Sequence, residues 1–281
     1  MSAFETIIVE RPDPRIARIV MNRPEARNAQ NLQMTYDLNA AFDDAVQDDA
    51  VKVIILAGSG PHFSAGHDLR PTGKNAAGVD FPPIGHWGGF AETNAHGRFA
   101  REQEIYLQIT RRWRNLAKPT IAEIHGKCIA GGLMLAWACD LIVASSDAEF
   151  CDPTVTMGVC GHEWFVHPWE LGPRKAKEIL FTGRAVTARE AEQTGMVNRV
   201  VDLDRLQDET MELARHIAQM DAFGLRQAKR AVNQTLDIQG FYAAIQSVFD
   251  IHHTGHGNAI SRTGYPIIAR ADQMKEHLKS Q

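Results

Sequence analysis

Two glycine-containing segments place residues that could do chemistry where a predicted strand meets a turn or a helix. The first is Phe63-Ser64-Ala65-Gly66-His67-Asp68, and the second runs from Gly126 to Asp140. Glycine at such a junction lets a ligand approach the bare backbone, although either segment alone is more often only a turn. Two backbone N–H groups that converge on one point form an oxyanion hole, which stabilises negative charge on a carbonyl oxygen. Together the segments indicate chemistry on an acyl group.

The elements that must position these segments are those of an α/β protein. Apolar runs predict strands at 5–10, 15–21, 51–57, 119–124 and 140–145. Helical spacing predicts helices at 31–47, at 98–116, after the glycines at 131–132, and throughout the chain from about residue 203. Strands that alternate with helices, followed by helices alone, indicate an α/β core with a C-terminal helical appendage. We divide the chain into a core of residues 1–200 and a helical region of residues 201–281.

Residues 71–97 are rich in glycine, proline and asparagine and show no clear period, which predicts a long loop. The loop contains the aromatic set Phe81, His86, Trp87 and Phe90. These side chains either cover an acyl chain or anchor the loop against the core.

Set in order along the chain, the motifs resemble the crotonase (enoyl-CoA hydratase/isomerase) family. The matching segments are Met21-Asn22-Arg23-Pro24, Arg27-Asn28-Ala29, 53–58, 63–69, 118–122, Gly126, 130–132, 136–140, 181–183, 188–191 and 195–197. An ordered set is far more specific than any single motif, and this one covers roughly residues 5 to 235. The resemblance implies a spiral of ββα units with a helical trimerisation tail, and therefore a homotrimer or homohexamer.

The resemblance also implies roles for individual residues. The backbone N–H groups of His67 and Gly131 would form the oxyanion hole for a thioester, and the dipole of the helix that Gly131 opens would add to it. Coenzyme A would enter as the thioester substrate, with no bound cofactor. The residues implied for the CoA track are Arg27, Ala65, Gly66, Asp68, Leu69 and Arg70. Of these, Arg27 and Arg70 are candidates for the phosphates, or are ordinary surface arginines.

The acid/base residues depart from the family pattern. A hydratase of this family uses two glutamates to hold and activate one water. Here the first position is Met134 and the second is Thr154, and neither side chain can act as a carboxylate base. The chain therefore resembles a member of this family that lacks both of the usual hydratase glutamates. Met134 and Thr154 are predicted to line the substrate pocket.

Other candidate bases lie in Gly161-His162-Glu163-Trp164, where some members of the family place a catalytic aspartate. Glu163 is the first candidate, because neighbouring aromatic residues can shift the pKa of a carboxyl group. His162 is the runner-up, and Asp152 is interpreted as a turn residue. The imidazole of His67 is interpreted as a solvent-exposed loop histidine, since its backbone alone has a role.

Composition excludes several classes of protein. The chain has 281 residues and a net charge of −4, which disfavours a nucleic-acid-binding protein. Cys128, Cys139, Cys151 and Cys160 have no CxxC spacing and are interpreted as reduced thiols. No apolar run is long enough to span a membrane, and the N-terminus has no signal-peptide pattern, so we expect a cytoplasmic protein.

His252 and His256 have a spacing that would let both bind a metal ion from one helix. Gly255 lies between them and no partner carboxylate is evident, so the sequence predicts no metal site. The histidines are instead expected near a subunit contact or over the acyl pocket.

Two classes of function stay open. The first is an enzyme on an acyl-CoA: hydration of a 2-enoyl-CoA, isomerisation, or hydrolytic C–C cleavage, of which the last two need fewer carboxylates. The second is a CoA-thioester-binding protein with little or no catalysis. A serine hydrolase is disfavoured, because Ser59 does not lie in a G-x-S-x-G motif.

Overall fold

The structure, a computed structural model, describes residues 4–69, 81–85 and 87–268 of the chain. Two residues singled out in the sequence, Arg70 and His86, lie outside this part, as do residues 71–80 of the predicted loop at 71–97.

The main sheet contains the six strands β1 (Ile7–Asp13), β2 (Ile16–Met21), β3 (Val53–Gly58), β4 (Thr120–Ile124), β6 (Leu141–Ser145) and β9 (Arg199–Val201), in the order β1-β2-β3-β4-β6-β9. β1 and β2 form an antiparallel hairpin, and every other neighbouring pair is parallel. All residues of β2, β3 and β4 are buried, as expected for parallel strands covered on both faces. All five strands predicted from the sequence are present.

A second, smaller sheet pairs β5 (Lys127–Ile129) with β7 (Glu149–Cys151) in parallel and β7 with β8 (Val186–Thr187) in antiparallel orientation. Two turns of the chain, β4-β5 and β6-β7, each add one strand to the main sheet and one to the smaller sheet before the next long helix. This is the ββα repeat that the sequence predicts. It brings the segment after β3 alongside β5, where Ser64 forms a bridge with Cys128.

The helices are α1 (Leu32–Gln47), α2 (Ala95–Glu102), α3 (Ile109–Arg114), α4 (Gly131–Ala138), α5 (His167–Thr182), α6 (Ala188–Thr194), α7 (Leu206–Ala218), α8 (Ala222–Ile238) and α9 (Phe241–Thr263). The helix predicted at 98–116 begins earlier, because the Asn94 side chain accepts hydrogen bonds from the N–H groups of His96 and Gly97. A π-helical segment, Gln103–Gln108, connects α2 and α3. Such segments are rare and frequently occur at functional sites.

Helices follow one another from Leu203 to Thr263, as predicted, whereas residues 264–268 are not helical. The three long helices of this region have different surroundings. α7 packs on the main sheet, where Leu206 and Met211 join a buried cluster with Val53 and Ile121. α8 contains no buried residue. The boundary at residue 200 stays a prediction, although α7 covers a face of the core sheet. In the described part of the chain no helix is long and apolar enough to cross a membrane.

The loop that precedes α2 makes aromatic contacts with the core. Phe81 stacks on Tyr36 with ring centroids 4.2 Å apart, and Trp87 contacts Phe99 at 5.3 Å. The aromatic side chains are expected from the sequence either to cover an acyl chain or to anchor the loop. For Phe81 and Trp87, these contacts favour anchoring of the loop.

Candidate active site

The two glycine-containing segments meet side by side. The Ile129 N–H donates to the Ser64 carbonyl at 3.0 Å, and the Gln30 side-chain amide donates to the Gly131 carbonyl at 2.9 Å. Gly66 has a φ of +92°, and a Cβ added there would lie 2.7 Å from the Ile129 oxygen and 3.3 Å from the Gly131 nitrogen. The close approach therefore requires glycine at position 66, as the sequence indicates.

The backbone is strained at the point where α4 begins. Ala130 has a φ of +46° and a ψ of −104°, an unusual conformation for a residue with a Cβ. Its carbonyl already accepts from Met134, while Gly131, the first residue of α4, has an N–H in the unpaired first turn. Within the described residues, neither the Gly131 N–H nor the His67 N–H has a hydrogen-bond acceptor. Both groups are available to an anionic oxygen.

The His67 side chain lies inside this site, in contrast to the solvent-exposed loop position expected from the sequence. Its Nε2 is 3.0 Å from Glu163 Oε2, and its ring stacks on Tyr106 with centroids 3.7 Å apart. The ring also covers Gly131, where an added Cβ would lie 2.5 Å from His67 Cε1. The buried His67 Nδ1 has no hydrogen-bond partner among the described residues. An orphaned buried nitrogen beside two free N–H groups is a candidate for contact with a substrate.

Glu163 is a buried carboxylate that stays ionised. Burial by itself would raise its pKa, but the charge and hydrogen bond of His67 and the nearby His252 outweigh burial and lower the pKa to about 2. A permanently charged carboxylate can fix the imidazole tautomer and stabilise the imidazolium when a proton arrives. Glu163 precedes α5 by several residues, so its setting is this contact and not a helix N-terminus.

Tyr106 is a site residue that sequence reasoning missed. It lies in the π-helical segment and stacks on His67, while burial and the charge of Glu163 raise the pKa of its hydroxyl well above the usual value. Its phenol therefore stays neutral. No local sequence pattern predicts a π-helical turn, so the sequence provided no indication that Tyr106 would contact His67.

The His162 side chain lies in a different environment from that of the Glu163 side chain. Its ring packs against Trp137 and His167, with centroids 5.1 and 4.7 Å away, and neither ring nitrogen has a hydrogen-bond partner among the described residues. Burial lowers the pKa of this imidazole to about 3, with a smaller effect of His167 in the same direction. A catalytic role for His162 stays a prediction.

Asp152 forms the turn that was predicted and is also a fully buried hydrogen-bond acceptor. Its Oδ1 accepts from the Thr154 hydroxyl at 2.6 Å and its Oδ2 from His167 Nε2 and the His162 N–H, both at 2.9 Å. Burial would raise the pKa of Asp152, but these donors and the two imidazoles lower it. Thr154 is thus held by Asp152, and Met134, in α4, is 1% exposed.

The residues implied for the CoA track lie along the segment that leads away from the hole. Arg27 is exposed, with a φ of +53°. The Asp68 carboxylate forms an ion pair with Arg23 at 3.1 Å, and Leu69 is 51% exposed. Ala65 lies between Ser64 and Gly66 on the same segment. The Ala65 N–H donates to the Arg27 carbonyl at 2.9 Å, which places Arg27 beside this segment, and contacts of these residues with a ligand stay predictions.

The sequence predicts no metal site at His252 and His256, because Gly255 would interrupt the helix between them and no carboxylate is evident. The structure shows that both of these premises are wrong. Gly255 does not interrupt the helix, because α9 runs unbroken from Phe241 to Thr263. A carboxylate is also present, since Glu102 of α2 has an oxygen 3.4 Å from His256 Nε2. Both histidines are buried.

Comparisons with known proteins agree with this fold. The family described as enoyl-CoA hydratase/isomerase matches residues 13–83 and 86–264. A crystal structure of a probable enoyl-CoA hydratase from Mycobacterium smegmatis is 55% identical, with a TM-score of 0.85 over 94% of this chain and 99% of that chain. One from Mycobacterium thermoresistibile is also 55% identical, with a TM-score of 0.84 over 93% and 98%. EchA13 of Mycobacterium tuberculosis, which carries a provisional enoyl-CoA hydratase name, is 45% identical over 265 residues, 93% of this chain and 82% of its own length.

The chain therefore belongs to the enoyl-CoA hydratase/isomerase family, an enzyme family with the crotonase fold.

Proposed function

We propose that this protein is an enzyme that moves a proton on an enoyl-CoA thioester, with His67 as its acid/base. The thioester oxygen accepts hydrogen bonds from the backbone N–H groups of His67 and Gly131. These donors stabilise the enolate that forms when a carbon next to the carbonyl loses its proton. His67 Nδ1 exchanges the proton, and the Glu163 carboxylate holds Nε2–H.

The observation that carries this proposal is the 3.0 Å contact between His67 Nε2 and Glu163 Oε2, with the imidazole lying over Gly131. It supplies a base and its orienting carboxylate beside the oxyanion hole. The acid/base function thus does not depend on carboxylates at positions 134 and 154.

Isomerisation is the reaction that one base completes without a held water. The imidazole takes a proton from C2 of a 3-enoyl thioester, and negative charge spreads from C4 to the thioester oxygen. Return of the proton to C4 moves the double bond and gives the 2-enoyl thioester. One proton leaves and one proton returns, so a single imidazole serves as base and then as acid.

Hydration of a 2-enoyl thioester is the second candidate, because the Mycobacterium relatives carry hydratase names. Here His67 would take a proton from water as the hydroxyl adds at C3 and would deliver a proton to C2. The same dyad can do this, but Met134 and Thr154 supply no carboxylate to hold the water.

Two absorbance assays separate the candidates and test the proposal. A panel of 3-enoyl-CoAs of several chain lengths is followed for appearance of the conjugated-enoyl absorbance, and a matched panel of 2-enoyl-CoAs is followed for its loss. We expect appearance to be the faster reaction and to fall strongly in a His67→Asn variant. Faster loss of the conjugated-enoyl absorbance from the 2-enoyl-CoA panel would indicate that the enzyme catalyses hydration. No turnover in either panel, with thioester binding still seen by calorimetry, would instead indicate a binding protein.

The same proposal includes a trimer or a dimer of trimers as the assembly. α8 has no buried residue, and its apolar side chains Phe223, Val232 and Ile238 are 64%, 63% and 87% exposed. A long helix that buries no side chain within its own chain and exposes large apolar ones indicates a contact with another chain. Sedimentation equilibrium is expected to give three or six chains per particle, and a monomer would contradict this assembly. The cytoplasmic location stays a prediction.

A further inference from the structure

A second group of ligating side chains lies beside the His67–Glu163 pair, between α2 and α9. The Nε2 atoms of His252 and His256 are 2.9 Å apart. Glu102 Oε2 lies 3.4 Å from His256 Nε2 and 3.9 Å from His252 Nε2. All three residues are buried, with 2% to 7% of their surface exposed. Three ligating atoms therefore face one point in the interior.

Hydrogen bonds fix the protons on both imidazoles. His252 Nδ1 is 2.8 Å from the Gly161 carbonyl oxygen, and His256 Nδ1 is 2.6 Å from the Pro266 carbonyl oxygen. A carbonyl can only accept, so each Nδ1 carries the hydrogen. In their neutral forms the two rings then direct their Nε2 lone pairs at each other. At 2.9 Å these lone pairs repel unless a cation lies between them, either a proton or a metal ion.

The position of Glu102 favours the metal ion. A shared proton would account for the short distance between the two nitrogens, but it would leave Oε2 at 3.4 and 3.9 Å from them, with only His253 Nε2 closer, at 3.1 Å and without hydrogen-bonding geometry. Glu102 Oε2 is indeed a buried oxygen with no hydrogen-bond partner among the described residues. Ligands at about 2.0–2.1 Å from a tetrahedral zinc ion are about 3.3 Å apart. The three distances between the ligating atoms bracket that value.

We propose that Glu102, His252 and His256 bind a divalent transition-metal ion of the zinc class. Two imidazoles and one carboxylate are a ligand set that such ions take. A metal-bound histidine usually donates its other N–H to a backbone carbonyl, as both histidines do here. His253 Nε2, 3.1 Å from Glu102 Oε2, and Glu163 Oε1, 3.6 Å from His252 Nε2, are the nearest side-chain atoms for a fourth position.

The other buried group of this kind gives a useful contrast. Asp152, His162 and His167 also bring ligating atoms together. There, however, both Asp152 oxygens already accept hydrogen bonds, from Thr154, from the His162 N–H and from His167 Nε2. Both oxygens of Asp152 are therefore satisfied by hydrogen bonds, whereas Glu102 Oε2 has no hydrogen bond among the described residues. The metal proposal does not depend on the proposed reaction, because it rests on residues of α2 and α9.

Metal titration of the purified full-length protein tests the site. After dialysis against a chelator, the protein is titrated with Zn²⁺ in competition with a chromophoric chelator, and separately with Co²⁺. We expect one equivalent of either ion per chain, the intense visible absorption of four-coordinate Co²⁺, and a higher unfolding midpoint with Zn²⁺. His256→Gln and Glu102→Gln should each weaken Zn²⁺ binding at least tenfold, about the smallest loss seen when groups around a metal are removed.

The matched control is His216→Gln, on the exposed surface of α7, which should bind Zn²⁺ as the unchanged protein does. Uptake of less than one equivalent by the unchanged protein would overturn the proposal. So would equal Zn²⁺ affinity in the His256 and Glu102 variants, which would place the ion elsewhere. If one variant fails to fold by circular dichroism, the other and His252→Gln decide the question. A metal-free protein whose ¹⁵N spectrum shows an imidazolium at this pair, with no zinc uptake, would assign the shared proton instead.

Discussion

Replacement of His67 by asparagine is expected to lower kcat/KM by about 10²–10⁴-fold, the usual contribution of a positioned acid/base. The main chain at position 67 is kept, so its N–H still donates to the thioester. Binding of a CoA thioester, measured by calorimetry, should therefore change little. The loss should appear in kcat, because the imidazole acts on the reacting proton and not on the rest of the ligand.

Glu163→Gln tests whether the carboxylate acts through His67. Glutamine keeps the size of the side chain but removes the charge that stabilises the imidazolium. In a double-mutant cycle, adding Glu163→Gln to the His67→Asn variant should lower kcat/KM much less than Glu163→Gln does in the unchanged protein. The reason is that substitutions of residues that act as a unit do not have additive effects.

Matched surface changes serve as controls for this cycle. His216→Asn and Glu212→Gln, both exposed on α7, should leave kcat/KM unchanged. Activity within tenfold of the unchanged protein in His67→Asn would show that the imidazole is not the base, and His162→Ala would be the next variant. Fully additive losses in the cycle would separate Glu163 from His67.

Gly131→Ala is expected to lower kcat by about 100-fold or more, because alanine keeps the N–H donor but its Cβ displaces the imidazole of His67, the positioned acid/base. The added Cβ would lie 2.5 Å from His67 Cε1 and 2.6 Å from His67 Nδ1. The ring must then move from its place over residue 131, which also disturbs its contact with Glu163. Binding of a saturated acyl-CoA should weaken far less than turnover, since the donors act most strongly on developing charge.

Gly224→Ala is the control for this substitution. Gly224 is exposed in the first turn of α8, and an added Cβ would meet only ordinary contacts with Asp221, the nearest at 3.5 Å. We expect unchanged kcat and a free energy of unfolding higher by about 0.5–1 kcal/mol, since alanine replaces glycine in a helix. Wild-type kcat in Gly131→Ala would contradict the position of the His67 imidazole over residue 131.

The sequence by itself determined the features that depend on neighbouring residues. Uninterrupted apolar runs predict buried strands such as β3, because a parallel strand covered on both faces leaves no position for polar side chains. Gly66 and Gly131 mark close approaches that a Cβ would prevent. The resemblance to the family pattern also implies that Met134 and Thr154 replace the two usual glutamates. These features indicate the fold and the family, and they predict the position of the oxyanion hole.

Only the tertiary structure decided which side chains meet. His67 and Glu163 are 96 residues apart, and no periodicity links them. Because its backbone alone seemed to have a role, the imidazole of His67 was assigned to solvent, whereas packing against Tyr106 holds it over Gly131. Likewise, Gly255 costs helix stability, but the packing of α9 outweighs that cost and turns His252 and His256 towards Glu102. Local conformational preferences correspond to small free energies. The burial of residues that are distant in sequence against each other can therefore override them.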